Sequence, residues 1–470
     1  MGKKKALRYL TAREANLYGL AGGGQIFGYT LIVNYLSYFY INVLLVDPKI
    51  VAVLLLAEGI WDAVNNPLAG LFLDRRKGME KAPPVLRGGA LPLGVLTALL
   101  FAAPYLLDSF SPGSPVRLCY MIGTWLCWEL LYTVTDVAFW SLSASASPDG
   151  DDRAFLAKRV NLFQSVCGTL PTLLVPLLLD GSNAGFLSLR ALFLLLGLTS
   201  AVGVGLLALA GFFVKERVHQ TEKRVSVRSM LLECVRNPLL RALLLSSLFS
   251  SLQDIGSGMT TYYFADVLGS ASLSIVVGSA SVITWLFSYR LTDFLRKKWS
   301  GRQLLKNLSL LFGLMWLLVF LAGFPFYESR GFMTVLLFLL HGAFGLFSTP
   351  YSVVFNEQLA EATDYTEWTQ GVRNEGLSFS AKMATQKCGS ALSQALVSLL
   401  LSFLGYQSPV ENRRQAQTGF AKRGIFCAYA LTPAAGFLLS VLPLCFGNLS
   451  AEARGTMQKE LAERRGNAIE

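Results

Sequence analysis

The sequence predicts an all-α, polytopic membrane protein with twelve transmembrane helices arranged in two six-helix halves. Three observations support this fold class. First, 53% of the 470 residues are hydrophobic and only 15% are charged, whereas soluble domains average about 25% charged residues. Second, the apolar residues form blocks of about 20 or more, the length that crosses a bilayer as a helix. Third, no block shows the alternating pattern of a membrane β-barrel strand.

The apolar blocks define the predicted domain organisation. The candidate spans run over about 17–45, 49–73, 85–107, 118–142, 160–179, 186–214, 239–268, 273–295, 304–326, 332–360, 376–404 and 424–446. The longest basic loop separates the sixth span from the seventh. We therefore predict an N-terminal bundle over 1–214, a cytoplasmic linker over 215–238, a C-terminal bundle over 239–447 and a cytoplasmic tail over 448–470.

The net charge of +11 comes from basic residues that collect in alternate loops. Such loops lie on the cytoplasmic side of a membrane. This distribution predicts a protein of the cell membrane with both termini in the cytoplasm, and a lipid bilayer rather than nucleic acid as its partner. One loop disagrees, because Arg413, Arg414, Lys422 and Arg423 fall on the predicted outer side.

The sequence gives no sign of an intramembrane enzyme. The only histidines are His219 and His341, and neither an HExxH nor a GxSxG pattern is present. These are the motifs of metal-dependent and serine hydrolases. We expect no catalytic residue and no cofactor.

Span 2 carries polar groups at membrane depth. Glu58, Asp62, Asn65 and Asn66 are spaced i, i+4, i+7 and i+8, which places them on one helix face. A charge at the bilayer centre costs about 2.5 kcal/mol or more, so such groups usually face a bundle interior or a wet cavity. Several acceptor oxygens together suit Na⁺ or a proton, and they would also bind sugar hydroxyls. Structural hydrogen bonds between helices are the alternative interpretation.

Span 4 repeats this pattern. Glu129, Thr133, Asp136 and Trp140 are spaced i, i+4, i+7 and i+11, again on one face. Lys387 in span 11 is a natural partner for the acids of spans 2 and 4, because an unpaired lysine at that depth would lose its proton or draw in water.

Charged residues at the ends of spans 2 and 10 predict a cytoplasmic brace between helix ends that breaks and re-forms during transport. The brace residues are Asp74, Arg75, Arg76, Asp364, Glu367 and Arg373. The simpler interpretations are a positive-inside anchor for the first three and a solvated loop for the others. A similar run, an acid followed by basic residues, lies over 293–298 at the end of span 8, the corresponding place in the second half.

Three motifs resemble one transporter family. They read IWDAVNNP at 60–67, YTVTDVAFWSL at 132–142, and DYTEW, GVRNEG and QKCGSAL between 364 and 392. Together they resemble the glycoside–pentoside–hexuronide:cation symporters, the melibiose permease group of the major facilitator superfamily. The resemblance covers nearly the whole chain and implies symport of a sugar with Na⁺ or H⁺ by alternating access. We expect a functional monomer.

The resemblance also implies roles for individual residues. The cation would bind Asp62, Asn65, Asn66 and Thr133. The spacing along span 2, rather than the resemblance, adds Glu58 as a further ligand beside Asp62. The sugar would contact Asp136 and Trp140, with Lys387 near the cation site and Gln25 and Asn161 at the positions of the sugar clamp.

Four positions depart from the melibiose permease pattern. Asn66 stands where that protein has a second acid, and Asn161 stands where it has an arginine. Gln25 and Ile26 stand where it has a lysine–aspartate pair. The substrate and the coupling therefore stay open, with two alternatives: a carrier of another solute, such as a lysophospholipid, or an uncoupled sugar uniporter.

Overall fold

Every regular element that the structure describes is a helix. The structure is a computed structural model, and it describes residues 9–57, 61, 65, 80–147, 149–183, 188–217, 236–371, 375–409, 415–446, 449 and 451–467. The chain divides into two compact units, Met1–Glu222 with Gln407–Ala416 and Lys223–Tyr406 with Gln417–Glu470. The all-α fold class is confirmed, whereas the domain boundaries drawn from the sequence stay predictions.

The first unit contains the helices before the basic linker. Their bounds are α1 Ala12–Asn42, α2 Pro48–Ala57, α3 Ala82–Leu106, α4 Pro115–Ser145, α5 Gly150–Asn183, α6 Leu189–Gly205 and α7 Leu207–Phe213. Within this unit α1 packs against α5 and α6, and α3 packs against α4 and α6.

The second unit contains the helices after the linker. Their bounds are α8 Pro238–Ser250, α9 Gln253–Tyr262, a π-helical turn Tyr263–Val267, α10 Leu273–Lys298, α11 Gly301–Gly323, a 3-10 turn Phe324–Phe326, α12 Arg330–Gln370, α13 Glu375–Phe403, α14 Gly419–Phe446 and α15 Ala451–Asn467. The core of this unit joins α8, α11 and α12 through buried side chains such as Leu240, Leu305 and Leu359.

Seven described segments are long and apolar enough to cross a membrane, as the sequence predicts for a multi-pass protein. They are α3, the apolar part of α5, α6 with α7, α10, α11, α12 and α14. Helices α1, α4 and α13 are not among these seven, but they have 31, 31 and 29 residues, which is sufficient to span. The number twelve stays a prediction.

Two predicted spans have a different form in the structure. Span 7 is interrupted, because α8 ends at Ser250, α9 begins at Gln253 and a π-helical turn follows. Span 10 belongs to a longer helix, because α12 continues to Gln370 and ends where Gly371 adopts a φ of 71°. Glycine commonly takes this left-handed conformation at a helix C-terminus. Asp364 and Glu367 therefore lie on a helix rather than in a loop.

Glycines on α1 allow neighbouring helices to approach closely. A Cβ atom on Gly23 would lie 2.9 Å from the Cys167 sulfur of α5, and a Cβ atom on Gly24 would meet the backbone of Gly203 in α6. Small residues at such positions let helix backbones pack directly in membranes. The glycine-rich start of α1 thus fixes its position between α5 and α6.

The N-terminal end of α1 is fixed by hydrogen bonds to its first turn. The Thr11 hydroxyl accepts from the Glu14 amide at 3.1 Å, and a Glu14 carboxylate oxygen accepts from the Thr11 amide at 2.8 Å. Arg217 donates to the other Glu14 oxygen at 2.7 Å. Burial alone would raise the pKa of Glu14, but the bonds from Thr11 and Arg217 hold this pKa below its ordinary value. Glu14 is therefore ionised and ties α1 to the chain beyond α7.

Arg117 caps the ends of two helices at the start of α4. It is 6% exposed, and its guanidinium donates to the carbonyl oxygens of Leu44 at 3.0 Å, Leu107 at 2.8 Å and Phe110 at 2.8 Å. The last carbonyls of a helix have no partner within the helix. One buried side chain therefore supplies hydrogen bonds to backbone carbonyl oxygens just after α1 and α3.

We expect Arg117→Met to destabilise the first unit by about 3 kcal/mol. Leaving one buried acceptor unpaired costs about 1–3 kcal/mol, and the loss for the three carbonyls stays below the full sum because water reaches part of the site. Thermal unfolding of the purified protein would measure the loss. Arg190→Met is the matched control, since its ion pair with Asp108 at 2.5 Å is largely exposed and such pairs contribute about 0–1 kcal/mol. Equal melting temperatures for the two variants would contradict the capping role of Arg117.

Candidate functional site

The polar face of α4 forms the centre of the candidate site in the first unit. Ser114 begins the helix by accepting a hydrogen bond from the Arg117 amide at 3.4 Å, and the helix then runs unbroken to Ser145. Because the helix is continuous, the predicted stripe lies on one face, with Glu129 and Thr133 buried and Trp140 exposed.

Asp136 is held by two donors from different helices. Its Oδ1 atom accepts from Gln25 Nε2 of α1 at 2.7 Å and from Trp140 Nε1 at 3.1 Å. Gln25 is 2% exposed, whereas Trp140 is 46% exposed. The structure thus brings together three of the residues that the resemblance assigns to the sugar. A carboxylate accepts at about four lone-pair sites, which is the acceptor chemistry that hydroxyl donors require.

Aromatic contacts fix the position of α1 beside this face of α4. The rings of Tyr18 and Phe139 stack at 4.3 Å, and the Tyr18 hydroxyl donates to the Phe139 carbonyl oxygen. About two turns earlier on α4, Tyr132 stacks on Tyr29 at 5.2 Å. These contacts hold the Gln25 side chain next to the Asp136 carboxylate. The Trp140 indole meets the carboxylate through its Nε1 edge and is 46% exposed, so it can stack on an apolar sugar face.

A second polar group lies on the same helix. Thr133 Oγ1 donates to Glu129 Oε1 at 3.4 Å, and Asn65 Nδ2 donates to the Glu129 carbonyl oxygen at 3.3 Å. Two residues that the resemblance assigns to the cation are therefore adjacent to Glu129. The other proposed cation residues, Glu58, Asp62 and Asn66, lie outside the described residues.

Asn161 lies on a polar, exposed stripe of α5. Exposed polar side chains recur along one face at Asn161, Ser165, Thr169 and Thr172. Across the described part of the chain, no hydrogen bond joins Asn161 to Gln25, Asp136 or Trp140. Its assignment to the sugar clamp stays a prediction.

The second unit has its own polar cleft, of about 290 Å³, at the interruption between α8 and α9. Eight polar side chains line it: Ser247, Ser250, Ser251, Gln253, Asp254, Gln386, Lys387 and Ser390. The backbone hydrogen-bond pattern of the helix tightens there, because the amides of Leu252 and Asp254 donate to carbonyl oxygens three residues earlier, at 3.2 and 2.9 Å. A mid-helix 3-10 stretch of this kind often marks a functional hinge.

This cleft places Lys387 with residues that the sequence analysis did not assign. The only signal was the run SSLFSSLQD at 246–254, which is unusually polar for a span. The structure puts Asp254 and Lys387 in one cleft, so Asp254 is an acid available to Lys387 within its own unit. The predicted proximity of Lys387 to the acids of spans 2 and 4 stays a prediction.

The brace residues are only partly described. Asp74, Arg75, Arg76 and Arg373 lie outside the described residues, while Asp364 and Glu367 are half-buried on the extension of α12. The brace therefore stays a prediction. The C-terminal part of α12 also carries ion pairs that the sequence analysis missed, Arg296–Glu357 and Arg454–Glu361, each at 2.5 Å.

The ion pair at Glu361 belongs to a docked tail helix. Trp368 Nε1 donates to Glu460 of α15 at 2.8 Å, and Met457 and Leu461 of the same helix are 1% and 2% exposed. The sequence did not show which part of the chain this helix would pack against.

Comparison with known proteins identifies the family. A family model described as "MFS/sugar transport protein" matches residues 17–451. The inner membrane symporter YicJ of Escherichia coli (strain K12) is 25% identical over 470 residues, which cover 97% of this chain and 95% of that protein. The isoprimeverose transporter of Lactiplantibacillus pentosus is 25% identical over 441 residues, which cover 91% and 87%.

Solved structures agree at the level of the fold. The nucleoside transporter NupG gives a TM-score of 0.61 at 13% identity and covers 92% of this chain and 99% of its own. A D-xylose-proton symporter gives 0.61 at 12% identity, with coverage of 93% and 98%. The relatives and the family are transporters, in agreement with the prediction that the protein is not an enzyme.

The family match also confirms the resemblance of the three motifs to the glycoside–pentoside–hexuronide symporters. It spans both units and includes every described residue of the α4 site. The chain belongs to the MFS/sugar transport protein family and is a multi-pass membrane transporter with the major facilitator fold.

Proposed function

We propose that the protein is a cation-coupled symporter that moves a glycoside or related sugar across the cell membrane by alternating access, with both termini in the cytoplasm. The observation that carries this proposal is the triad of Gln25, Asp136 and Trp140 in the first unit. It combines an amide, a carboxylate and an indole ring whose surface is half exposed, which together match the hydroxyls and the apolar face of a sugar.

Each residue has a distinct role in this proposal. Asp136 accepts hydrogen bonds from sugar hydroxyls, because its carboxylate is a stronger acceptor than a neutral oxygen. Gln25 orients that carboxylate, and Trp140 stacks on the ring. Asn161 contributes a further polar contact from α5. Lys387 offsets the negative charge of the acids at membrane depth.

The relatives support this substrate class. One is named an isoprimeverose transporter, and another is named a putative sulfoquinovose importer, at 23% identity over 478 residues, in Salmonella typhimurium. Both names refer to sugars. A coupling cation, Na⁺ or H⁺, would favour the state that binds the sugar, and the sugar would equally favour cation binding, because coupling of two binding events is reciprocal.

Uptake into membrane vesicles tests the proposal. We expect one or more sugars from a panel of glycosides, pentosides and hexuronides to accumulate when an inward Na⁺ or proton gradient is imposed. Vesicles without the protein provide the baseline. Uptake that only equilibrates, with no response to any gradient, would indicate a uniporter. Uptake of a lysophospholipid without any sugar uptake would assign the protein to the other solute class.

A further inference from the structure

A buried arginine at the start of α11, in the second unit, lacks part of its hydrogen bonding. Arg302 is 5% exposed, and its Nε atom donates to the Leu444 carbonyl oxygen of α14 at 3.1 Å. Its Nη2 atom is buried and has no hydrogen-bond partner within the described residues. Buried donors are nearly always satisfied, so an exception requires an explanation such as a bound ion.

The acid whose charge acts on Arg302 is already engaged by other donors. Glu361 of α12 accepts from Arg454 Nε of α15 at 2.5 Å through Oε1, and from Gln358 Nε2 at 2.9 Å through Oε2. The charges of Glu361 and Arg454 both reach Arg302. Two guanidinium groups therefore share one carboxylate, and one positive charge in this group is not offset. Buried charges are normally paired, so the group favours an anion.

The N-terminus of α11 adds to the positive potential of this group. The cap residue Ser300 makes no side-chain hydrogen bond to the first turn, and the free amides of a helix N-terminus attract anions. A Cβ atom on Gly301 would lie 2.9 Å from Gln358 Nε2, so the helix end packs directly against the residue that holds Glu361. The Arg454 side chain is 26% exposed, so the group reaches the protein surface beside α15.

The residues just before α11 indicate which anion is available there. Lys298 Nζ lies 5.1 Å from the centre of the Trp299 ring, and tryptophan and basic side chains are typical of the boundary between membrane and water. The helix that follows, from Gly301, is long and apolar enough to cross a membrane. Its first turn therefore lies at the level of the phospholipid headgroups, where the abundant anion is phosphate.

We propose that Arg302, Arg454 and the N-terminus of α11 bind a phosphate group, and that its source is the headgroup of an anionic phospholipid. Arginine suits this role because its planar guanidinium presents several donors to phosphate oxygens. The phosphate accepts from Arg302 Nη2 and offsets the second guanidinium charge. It thereby links α11 to α12 and to the docked helix α15. The site is separate from the α4 site and does not depend on the proposed transport function.

Lipid binding to the purified, full-length protein in detergent tests the proposal. Unfolding temperatures are measured as phosphatidylglycerol, phosphatidylcholine or sodium phosphate is added at constant ionic strength, and native mass spectrometry counts the lipids retained. A ligand that binds only the folded state raises the unfolding temperature with its concentration. We expect phosphatidylglycerol alone to stabilise the wild type, and Arg302→Gln to weaken its binding about tenfold or more. Arg454→Gln should act in the same direction, and it decides the question if Arg302→Gln does not fold.

Arg296→Gln is the matched control, because it removes the same charge from the same unit close to Trp299. The Arg296 side chain is 48% exposed and pairs with Glu357, so its lipid response should equal that of the wild type. Equal losses in Arg296→Gln and Arg302→Gln would show diffuse charge attraction and overturn the site. Equal stabilisation by both lipids, or none by any phosphate source, would also overturn it. Stabilisation by sodium phosphate that Arg302→Gln abolishes would confirm the phosphate site but contradict the lipid as its source.

Discussion

Replacing Asp136 with asparagine is expected to lower sugar uptake on the order of 100-fold, because hydrogen bonds to a charged group contribute about 1.5–3 kcal/mol. The amide oxygen of the variant can still accept from Gln25 and Trp140, which now bond to Oδ1 at 2.7 and 3.1 Å. Local geometry should therefore survive, while the charge that the sugar hydroxyls require is lost. Initial rates of uptake in vesicles at equal protein levels would measure the effect.

Asp108→Asn is the control for this substitution. Asp108 belongs to the same unit, but its side chain is 62% exposed and pairs with Arg190 at the surface. We expect its uptake to match the wild type. Full transport by Asp136→Asn, with Asp108→Asn also active, would show that Asp136 does not bind the solute.

The substitution Gly24→Leu should prevent the first unit from assembling. A Cβ atom on Gly24 would lie 2.7 Å from the Gly203 carbonyl carbon and 3.0 Å from its Cα atom. These are backbone atoms, so no side-chain rotation relieves the overlap, and the two helices must separate. Overpacking of cores costs about 1–3 kcal/mol even where side chains can shift. We expect Gly24→Ala to cost about 3 kcal/mol or more, near the upper end of that range, and Gly24→Leu to yield no monodisperse protein.

Gly123→Ala provides the comparison. Gly123 lies inside α4, and a Cβ atom there would have nothing within 4 Å. Alanine stabilises a helix interior by about 0.5–1 kcal/mol relative to glycine, so this variant should unfold at or above the wild-type temperature. The two alanine variants are compared by size-exclusion chromatography and thermal unfolding in detergent. Equal behaviour of both would mean that α1 and α6 do not rely on the Gly24 contact.

The α4 site shows how much of a functional site a single sequence can predict. Asp136 and Trp140 were assigned correctly to one helix face, and the structure joins them by a hydrogen bond of 3.1 Å. Residues four apart on a continuous helix must lie on the same face, so this contact is a local consequence of the sequence. The polar spacing alone left open whether the group binds a solute or braces helices, and the motif resemblance favoured the solute.

Contacts between distant parts of the chain could not be predicted in the same way. Gln25 meets Asp136 across 111 residues, and Asn65 meets Glu129 across 64. The spacing of residues within one helix does not say which other helix lies beside it. The resemblance placed Gln25 near the sugar, but only the packing of α1 against α4 and α5 shows which atom it contacts.

The second unit adds a feature that local patterns concealed. The apolar residues of 239–268 predicted one continuous span, but the helix is interrupted at Ser251 and Leu252. Hydrophobicity is nearly the same for a straight and an interrupted helix, so the pattern could not distinguish them. Neighbouring helices pack closely at the break, since a Cβ atom on Gly389 of α13 would meet the Ser251 side chain, and one on Gly436 of α14 would lie 2.9 Å from the Phe249 carbonyl oxygen.

The sequence by itself determined that this is a helical, multi-pass membrane protein with polar stripes on particular helices, because hydropathy and helical periodicity are properties of short segments. The tertiary structure alone decided which side chains meet. It paired Gln25 with Asp136 and brought the Asn65 amide nitrogen to the Glu129 carbonyl oxygen. It also gathered Asp254 and Lys387 into one cleft. These pairings depend on which helices pack together and how closely. Close packing in turn requires small residues at contact positions that lie far apart in the sequence.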